Sequence, residues 1–392
     1  MDSERSSLLF VVPKSITKIL ALRMTLSPRR SEDALARIEK GIPALNNEHQ
    51  AKLLLKAAVL TEYKKIEIED VPEPQIGPHD VEFRVMACGL CPNDYRLYTG
   101  LATWKKLPAV LGHEPAGEVV KVGSEVNRFK PGDMVAGDIT TRCGYCRSCA
   151  AGRENLCPNR KNVVDGSLAQ FSAGNEIWMN KFHHVSFEEA SLVEPLSCVL
   201  NGIRNSRVKA GDIVAIVGAG QIGLMLLQVA QMLRAKVIVI DVRSDRLSVA
   251  ERLGAEYVID SSTTDPVARV KELTAGDGAN AAIVAIGNKQ AIETGFHLVG
   301  PMGTVNLFAS TNPPTDVSIN PNVVHRDEVS VIGSYDKTRA DLQEATRLVD
   351  EGRIDVKTLI THIYDLEHSA DALSSMGKGE GIKLVIKPNG RT

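Results

Sequence analysis

The sequence predicts an α/β protein in which a small, mostly-β, barrel-like domain is joined to a doubly wound parallel sheet. Three observations predict it. From Lys56 onward, short β-type runs are punctuated by Gly and Pro; from about Gly211 strand and helix patterns alternate; and a Gly-rich turn, Gly218-Ala-Gly220-Gln221-Ile222-Gly223, stands where the first strand of the alternating half gives way to a helix.

In the first half the runs AAVL, KIEIEDV, DVEFRV, AGEVVKV and DMVAGDI read as strands, separated by the turns PEPQIGPHD and RFKPGD. In the second half DIVAIVGAG reads as a buried strand and LMLLQVAQMLR has helical spacing. AKVIVID is the next strand and DRLSVAERLG the next helix, with YVID, AAIVAIG and GTVNLF as further strands. A long helix over Ala340–Gly352 and a closing strand, KLVIKP, complete the pattern.

The 392 residues suffice for two domains, and 43% hydrophobic with 24% charged residues is ordinary for a globular chain. A formal net charge of -2 and 4% aromatic residues argue against nucleic acid or an anionic membrane as partner. The apolar stretch Leu8–Met24 is broken by Pro13, Lys14, Lys18 and Arg23, so no membrane span is expected there. Residues 1–54 read as a loosely attached extension, basic at its start in the manner of a transit peptide, with a short capped helix over Ser31–Lys40.

The seven cysteines are odd in number and unevenly spread, unlike a disulfide framework, and point to thiols kept reduced in a cytoplasmic compartment. Cys143, Cys146, Cys149 and Cys157, at spacings of three, three and eight, can place four thiolates around one tetrahedral zinc. Such a set leaves no open position and is expected to be structural.

A second metal set must be assembled from separate places: Cys91 in CGLCPND, His113-Glu114 in LPAVLGHEPAG, and Glu194 in SLVEPLS. One thiolate, one imidazole and one carboxylate plus water meet the needs of an open catalytic zinc. Each alone has a plainer reading. Cys91 reads equally as a core residue, as Cys88 and Cys198 do; His113 reads as a loop histidine, and Glu194 as a helix-start carboxylate.

The glycines of the Gly-rich turn let backbone N–H groups approach a pyrophosphate at a helix N-terminus. Asp241, eighteen residues past Gly223, ends the next strand, where a carboxylate accepts from ribose hydroxyls and repels a 2′-phosphate. NAD is therefore expected over NADP. Arg246 is a further cofactor-side candidate, whereas Arg243 reads as a solvated charge; either arginine could instead accommodate the phosphate of NADP.

Taken together, GLCPND, GHE, the four-cysteine run, EPLS and GAGQIG with its following acid, in that order over roughly Lys56–Pro388, resemble the zinc-containing medium-chain dehydrogenase/reductase (alcohol dehydrogenase) superfamily. Glu194 in EPLS is similar to the sorbitol and threonine dehydrogenase branch. The resemblance implies a GroES-like catalytic domain (55–205), interrupted by a Rossmann NAD-binding domain (206–335) and completed by a C-terminal return (336–392). It implies Cys91 and His113 as ligands of a catalytic zinc, Glu114 and Glu194 as direct or water-bridged ligands, and Asp94 as the carboxylate that orients the histidine. Two zinc ions per chain follow, and a homo-oligomer, dimer or tetramer, is expected. Family members commonly carry a hydroxyl residue and a histidine as a proton relay where this chain has Asn93 and Arg96. Arg96 is then either a contact for an anionic or polyhydroxylated substrate or a surface residue.

The implied reaction transfers hydride between a secondary alcohol, such as a polyol, cyclitol or sugar derivative, and NAD. The rival expectations are an NADPH-linked carbonyl reductase of the same fold and a catalytically inactive zinc- and nucleotide-binding protein.

Overall fold

The computed structural model describes residues Leu54–Gly390. The expected N-terminal extension and the helix over Ser31–Lys40 lie outside the described residues.

The mostly-β part opens with β1 (Leu54–Glu62), β2 (Lys65–Pro72), β3 (Asp80–Gly89), β4 (Ala109–Val110), β5 (Glu114–Val122) and β6 (Met134–Gly137). The short strands β7 (Thr140–Thr141) and β8 (Lys161–Asn162) pair with each other, and β9 (Phe171–Asn175) and β10 (Met179–Lys181) follow. β2, β1 and β4 form a small sheet, while β10, β6, β5 and β3 run side by side in the larger one, with β9 also on β3. Along strand β3 the alternate residues Val81, Phe83, Val85 and Ala87 are all fully buried in the core, and Glu82 and Cys88 on the other face are buried too.

Two of the helices in this part bear on the site. α1 (Pro92–Tyr98) starts directly after β3, with Pro92 in its first turn and Asp94 closing a capping box onto Cys91. α2 (Val193–Asn205) buries Leu196, Val199 and Ile203.

The second half is a parallel sheet built from β11 (Ile213–Val217), β12 (Lys236–Asp241), β13 (Tyr257–Asp260), β14 (Ala279–Val284), β15 (Val299–Leu307) and β16 (Ser330–Gly333). Their order is β13-β12-β11-β14-β15-β16, every pair parallel, which is the doubly wound arrangement. The expected helices appear as α3 (Gln221–Met232) and α4 (Ser244–Arg252). Leu196 and Val199 of α2, Leu224 and Leu227 of α3 and Leu342 and Leu348 further along share one core against the sheet.

The long C-terminal helix, α5, runs Arg339–Asp350, started one residue before the expected span by the Thr338–Asp341 capping box. The chain then returns to the first sheet: β17 (Ile360–Asp365) pairs with β18 (Lys383–Lys387), and β18 lies antiparallel to the end of β3, Ile386 opposite Cys88 and Val385 opposite Gly89. The last strand thus pins the backbone two residues before Cys91. Among the described residues, no helix is long and apolar enough to cross a membrane.

Candidate active site

Sequence-distant residues meet where β3, α1 and β5 converge. Ligand atoms of Cys91, His113 and Glu114 lie within 4.8 Å of one another. Cys91 caps α1, and His113 and Glu114 sit where β5 begins, after Gly112, whose φ of +85° turns the chain in. Asp94 holds the two loops together. One carboxylate oxygen accepts the Cys91 N–H at 3.0 Å; the other accepts the Gly112 N–H at 3.0 Å and lies 3.4 Å from His113 Nδ1. With Nδ1 turned to Asp94, Nε2 is the ring nitrogen left for a ligand. Burial opposes ionisation of Asp94, but His113 and the two N–H groups prevail and hold its carboxyl below the ordinary range.

Glu114 is fully buried. Its Oε2 pairs with Lys383 Nζ, an equally buried group that also donates to the Leu90 carbonyl at 2.9 Å. Its Oε1 is buried with no hydrogen-bond partner. A buried carboxylate oxygen without a donor is costly, and a cation beside the Cys91 thiol and the His113 imidazole resolves that cost. The backbone makes room here: a Cβ on Gly89 would stand 2.3 Å from Glu114 Oε2.

Glu194 lies near enough for His113 and Glu114 to act on its carboxylate, but its closest partners are others. It groups with Cys198 and Asp336, and its carboxylate is paired with the ammonium of Lys337. Lys337 Nζ also lies 2.8 Å from Asp138 and 3.2 Å from Asp336, and Arg142 reaches the same two aspartates at 2.7 and 2.8 Å while its guanidinium lies 4.1 Å from the Trp178 ring centroid. Burial works against the Lys337 charge, yet Asp138, Asp336 and Glu194 outweigh it and hold the amine well above the ordinary lysine value. Neither Lys337 nor Lys383 figures in the sequence-derived site. The only sequence signals are a lysine opening the otherwise apolar run Leu384-Val385-Ile386, and one in the turn before α5.

Cys143, Cys146, Cys149 and Cys157 form a second cluster, all thiols free and within 4.8 Å of one another. The Cys157 sulfur is 3.6 Å from that of Cys143 and 3.9 Å from that of Cys146. Four sulfurs at these separations suit a tetrahedral thiolate site. Burial opposes it, but the Asn159 amide and the backbone N–H groups of Tyr145 and Cys146 bring the Cys143 thiol down to about 6.

In the parallel-sheet half, Gly218 takes φ +108° and Gly220 caps α3. A Cβ on Gly223 would stand 1.8 Å from the Gly218 carbonyl, so helix and strand pack here only through glycine. Around Gly220 the nearest heavy atom to such a Cβ is 3.9 Å away, which leaves the space a pyrophosphate needs. Gln221 is buried with its side-chain oxygen unpartnered, and Ile222 packs against the core. Asp241 braces the turn, accepting the Ala219 N–H at 2.6 Å and the Arg243 N–H at 2.9 Å. Arg246 donates to the carbonyls of Gly379 and Gly381, and Arg243 pairs with Asp245 and the Gly379 carbonyl. Arg96, half-buried on α1, reaches over to Ser310 beyond β15.

Residues 77–183 match the alcohol dehydrogenase GroES-like domain, and residues 222–351 match the zinc-binding dehydrogenase family. A sorbitol dehydrogenase of Halalkalibacterium halodurans is 33% identical over 349 residues, spanning 85% of this chain and 99% of the relative. A D-arabitol-phosphate dehydrogenase of Enterococcus avium is 32% identical, with 83% and 95% covered. Among solved structures, a zinc-binding dehydrogenase of Sinorhizobium meliloti 1021 bound to NADP has a TM-score of 0.80 at 29% identity, covering 86% of this chain and 100% of that one. The motifs, the two-part fold and these relatives agree: the chain belongs to the zinc-containing medium-chain dehydrogenase/reductase superfamily of the alcohol dehydrogenases.

Proposed function

We propose that the protein is a zinc-dependent, NAD-linked dehydrogenase that interconverts a secondary hydroxyl and a ketone on a polyol, cyclitol or sugar derivative. The observation that carries this reading is the trio Cys91, His113 and Glu114, braced by Asp94 and left with one buried carboxylate oxygen unpartnered. These three residues would hold the metal, which when bound supplies Lewis acidity toward a substrate oxygen, with NAD as hydride acceptor. Asp94 fixes the ring of His113, and the Gly-rich turn offers its N–H groups to the pyrophosphate. Asp241 keeps acceptor capacity for a ribose hydroxyl, each carboxylate oxygen having a second lone pair. NAD rather than NADP is favoured because Arg243 and Arg246 are already engaged by Asp245 and by backbone carbonyls. Asn93 cannot carry a proton and Arg96 is always charged, so the substrate proton passes to water at the carboxylates of the site. The four-cysteine lobe would hold a second, structural zinc. A polyol-type substrate is supported by the sorbitol and D-arabitol-phosphate dehydrogenases among the relatives.

The test joins metal counting to a substrate panel. The wild type should carry two zinc ions per chain. Cys146→Ser should lose one and unfold at lower temperature, since binding of structural zinc is folding energy. Cys91→Ser should lose the other together with turnover. Polyols, amino alcohols and sugar phosphates assayed by NADH absorbance should reveal the substrate. Near-wild-type activity in Cys91→Ser would sink the reading.

A further inference from the structure

The trio and Glu194 are neighbours, since the charges of His113 and Glu114 act on the Glu194 carboxylate, but they have different close partners. Ligand atoms of Cys91, His113 and Glu114 cluster together, whereas the Glu194 carboxylate clusters with Cys198 and Asp336 around the ammonium of Lys337. Lys337 is 3% exposed and Glu194 6%, so this ion pair is dry. A buried carboxylate needs a cation, and two cations compete for this one: the lysine, and any metal held by the trio.

Lys337 is held from several sides. Asp336, one residue before it, adopts φ +57°, a left-handed conformation that is uncommon for a residue with a side chain. The Asn201 amide of α2 donates to the carbonyls of Tyr335 and Asp336 at 3.2 and 2.9 Å. Asn155, within the four-cysteine lobe, donates to the Tyr335 carbonyl at 2.8 Å. Arg142 bridges Asp138 and Asp336, so those two carboxylates have a cation of their own besides Lys337. Glu194 has Lys337 alone among the described cationic side chains within ion-pair distance.

We propose that Lys337 is a positioning residue: it retains Glu194 as its ion-pair partner, and so leaves the fourth coordination position beside Cys91, His113 and Glu114 to the substrate oxygen. The inference rests on the reading of that trio as a zinc site. It predicts that Glu194 is not a protein ligand of the metal while Lys337 is present, and becomes one when the ammonium is removed.

The experiment follows the zinc that the wild type holds and Cys91→Ser lacks. Its release to a chromogenic chelator is timed in the full-length protein, and the visible spectrum of the cobalt-substituted protein reports the ligand set. Lys337→Met should slow release at least ten-fold and change the cobalt spectrum. Lys337→Arg, which keeps the charge, should behave as wild type. Lys337→Met/Glu194→Gln should return the release rate to within two-fold of wild type. A folded Lys337→Met protein with unchanged release and spectrum overturns the inference, as does slow release that persists in the double variant. Should Lys337→Met fail to fold, Glu194→Gln alone decides. Release within two-fold of wild type and an unchanged cobalt spectrum support the inference, and release ten-fold faster, as for a lost ligand, overturns it. Failure of the site itself looks different: Cys91→Ser would then keep the full wild-type zinc content.

Discussion

Asp94 Oδ1 lies 3.4 Å from His113 Nδ1, and the same carboxylate also accepts the N–H groups of Cys91 and Gly112. One side chain of α1 therefore sets the ring orientation of one candidate ligand and the backbone position of the other. The trio is rigid for a local reason, the capping box of a seven-residue helix.

That relationship makes Asp94→Asn informative. The amide can still accept one N–H, but it no longer offers a charged acceptor to the His113 Nδ1–H. Zinc affinity at this site should fall by about 10–100-fold, the usual cost of losing such an orienting partner. Chelator competition measures it directly. Unchanged affinity would show that His113 needs no brace.

Much of this site was legible from local spacing. The four cysteines, the Gly-rich turn with Asp241, and the order of Cys91, His113 and Glu114 lie within short motifs whose geometry is set by a turn or a helix cap. The lysine partners were not legible, because each pairing joins residues more than a hundred positions apart: Lys383 with Glu114, and Lys337 with Glu194. Only the return of β18 to the edge of β3, and the turn before α5, bring them in. The resemblance implies Glu194 as a direct or water-bridged ligand beside the trio, and its ion pair with Lys337 is the part that no local motif shows. The fold class followed from strand–helix alternation, whereas the start of α5 depended on Thr338, two residues outside the expected span.

Asp241 is the residue to test for cofactor choice. Asp241→Asn keeps an acceptor for one of the two backbone N–H groups it now serves and removes the charge that repels a 2′-phosphate. The ratio of kcat/KM for NAD to that for NADP should fall by at least about tenfold, roughly 1.4 kcal/mol. Steady-state kinetics with both cofactors gives the answer, and an unmoved ratio would place the ribose elsewhere.

Glu82, on β3 opposite Lys121, is the residue to examine for pH-dependent stability. Its carboxylate oxygens are buried without hydrogen-bond partners. Burial first, and then the neighbouring Glu73, raise its carboxyl to about 7. A folded-state value above the unfolded one means that ionisation costs stability. Its favourable contribution is complete below about pH 4 and is lost as pH climbs toward 7. Glu82→Gln removes that titration. The gain in Tm of the variant over wild type should therefore be larger at pH 8 than at pH 5, by a few degrees on the scale of about 2–4 °C per kcal/mol. A pH-independent difference between the two would show that Glu82 does not titrate in this range.

Arg96 stands where family members often carry the last histidine of a proton relay, and its geometry narrows what it does. Its guanidinium donates to Ser310 Oγ at 3.3 Å and to the Ser310 carbonyl at 3.2 Å. A few residues on, the Asn312 amide donates to the Leu101 carbonyl at 3.3 Å. Both contacts cross from the α1 region to the loop after β15, so Arg96 links the mostly-β part to the parallel-sheet part. The side chain is half-buried, and hydrogen bonds of this kind contribute modestly, about 1 kcal/mol. Arg96→Ala should accordingly raise KM for the substrate by no more than about fivefold, with KM for NAD unchanged. Arg96→Lys should fall between, because an ammonium cannot reach both Ser310 acceptors with a planar fork. Ser310→Ala, which keeps the carbonyl acceptor, should stay close to wild type. A rise in substrate KM of a hundredfold in Arg96→Ala would instead mean that the guanidinium leaves Ser310 to bind an anionic or polyhydroxylated substrate group directly.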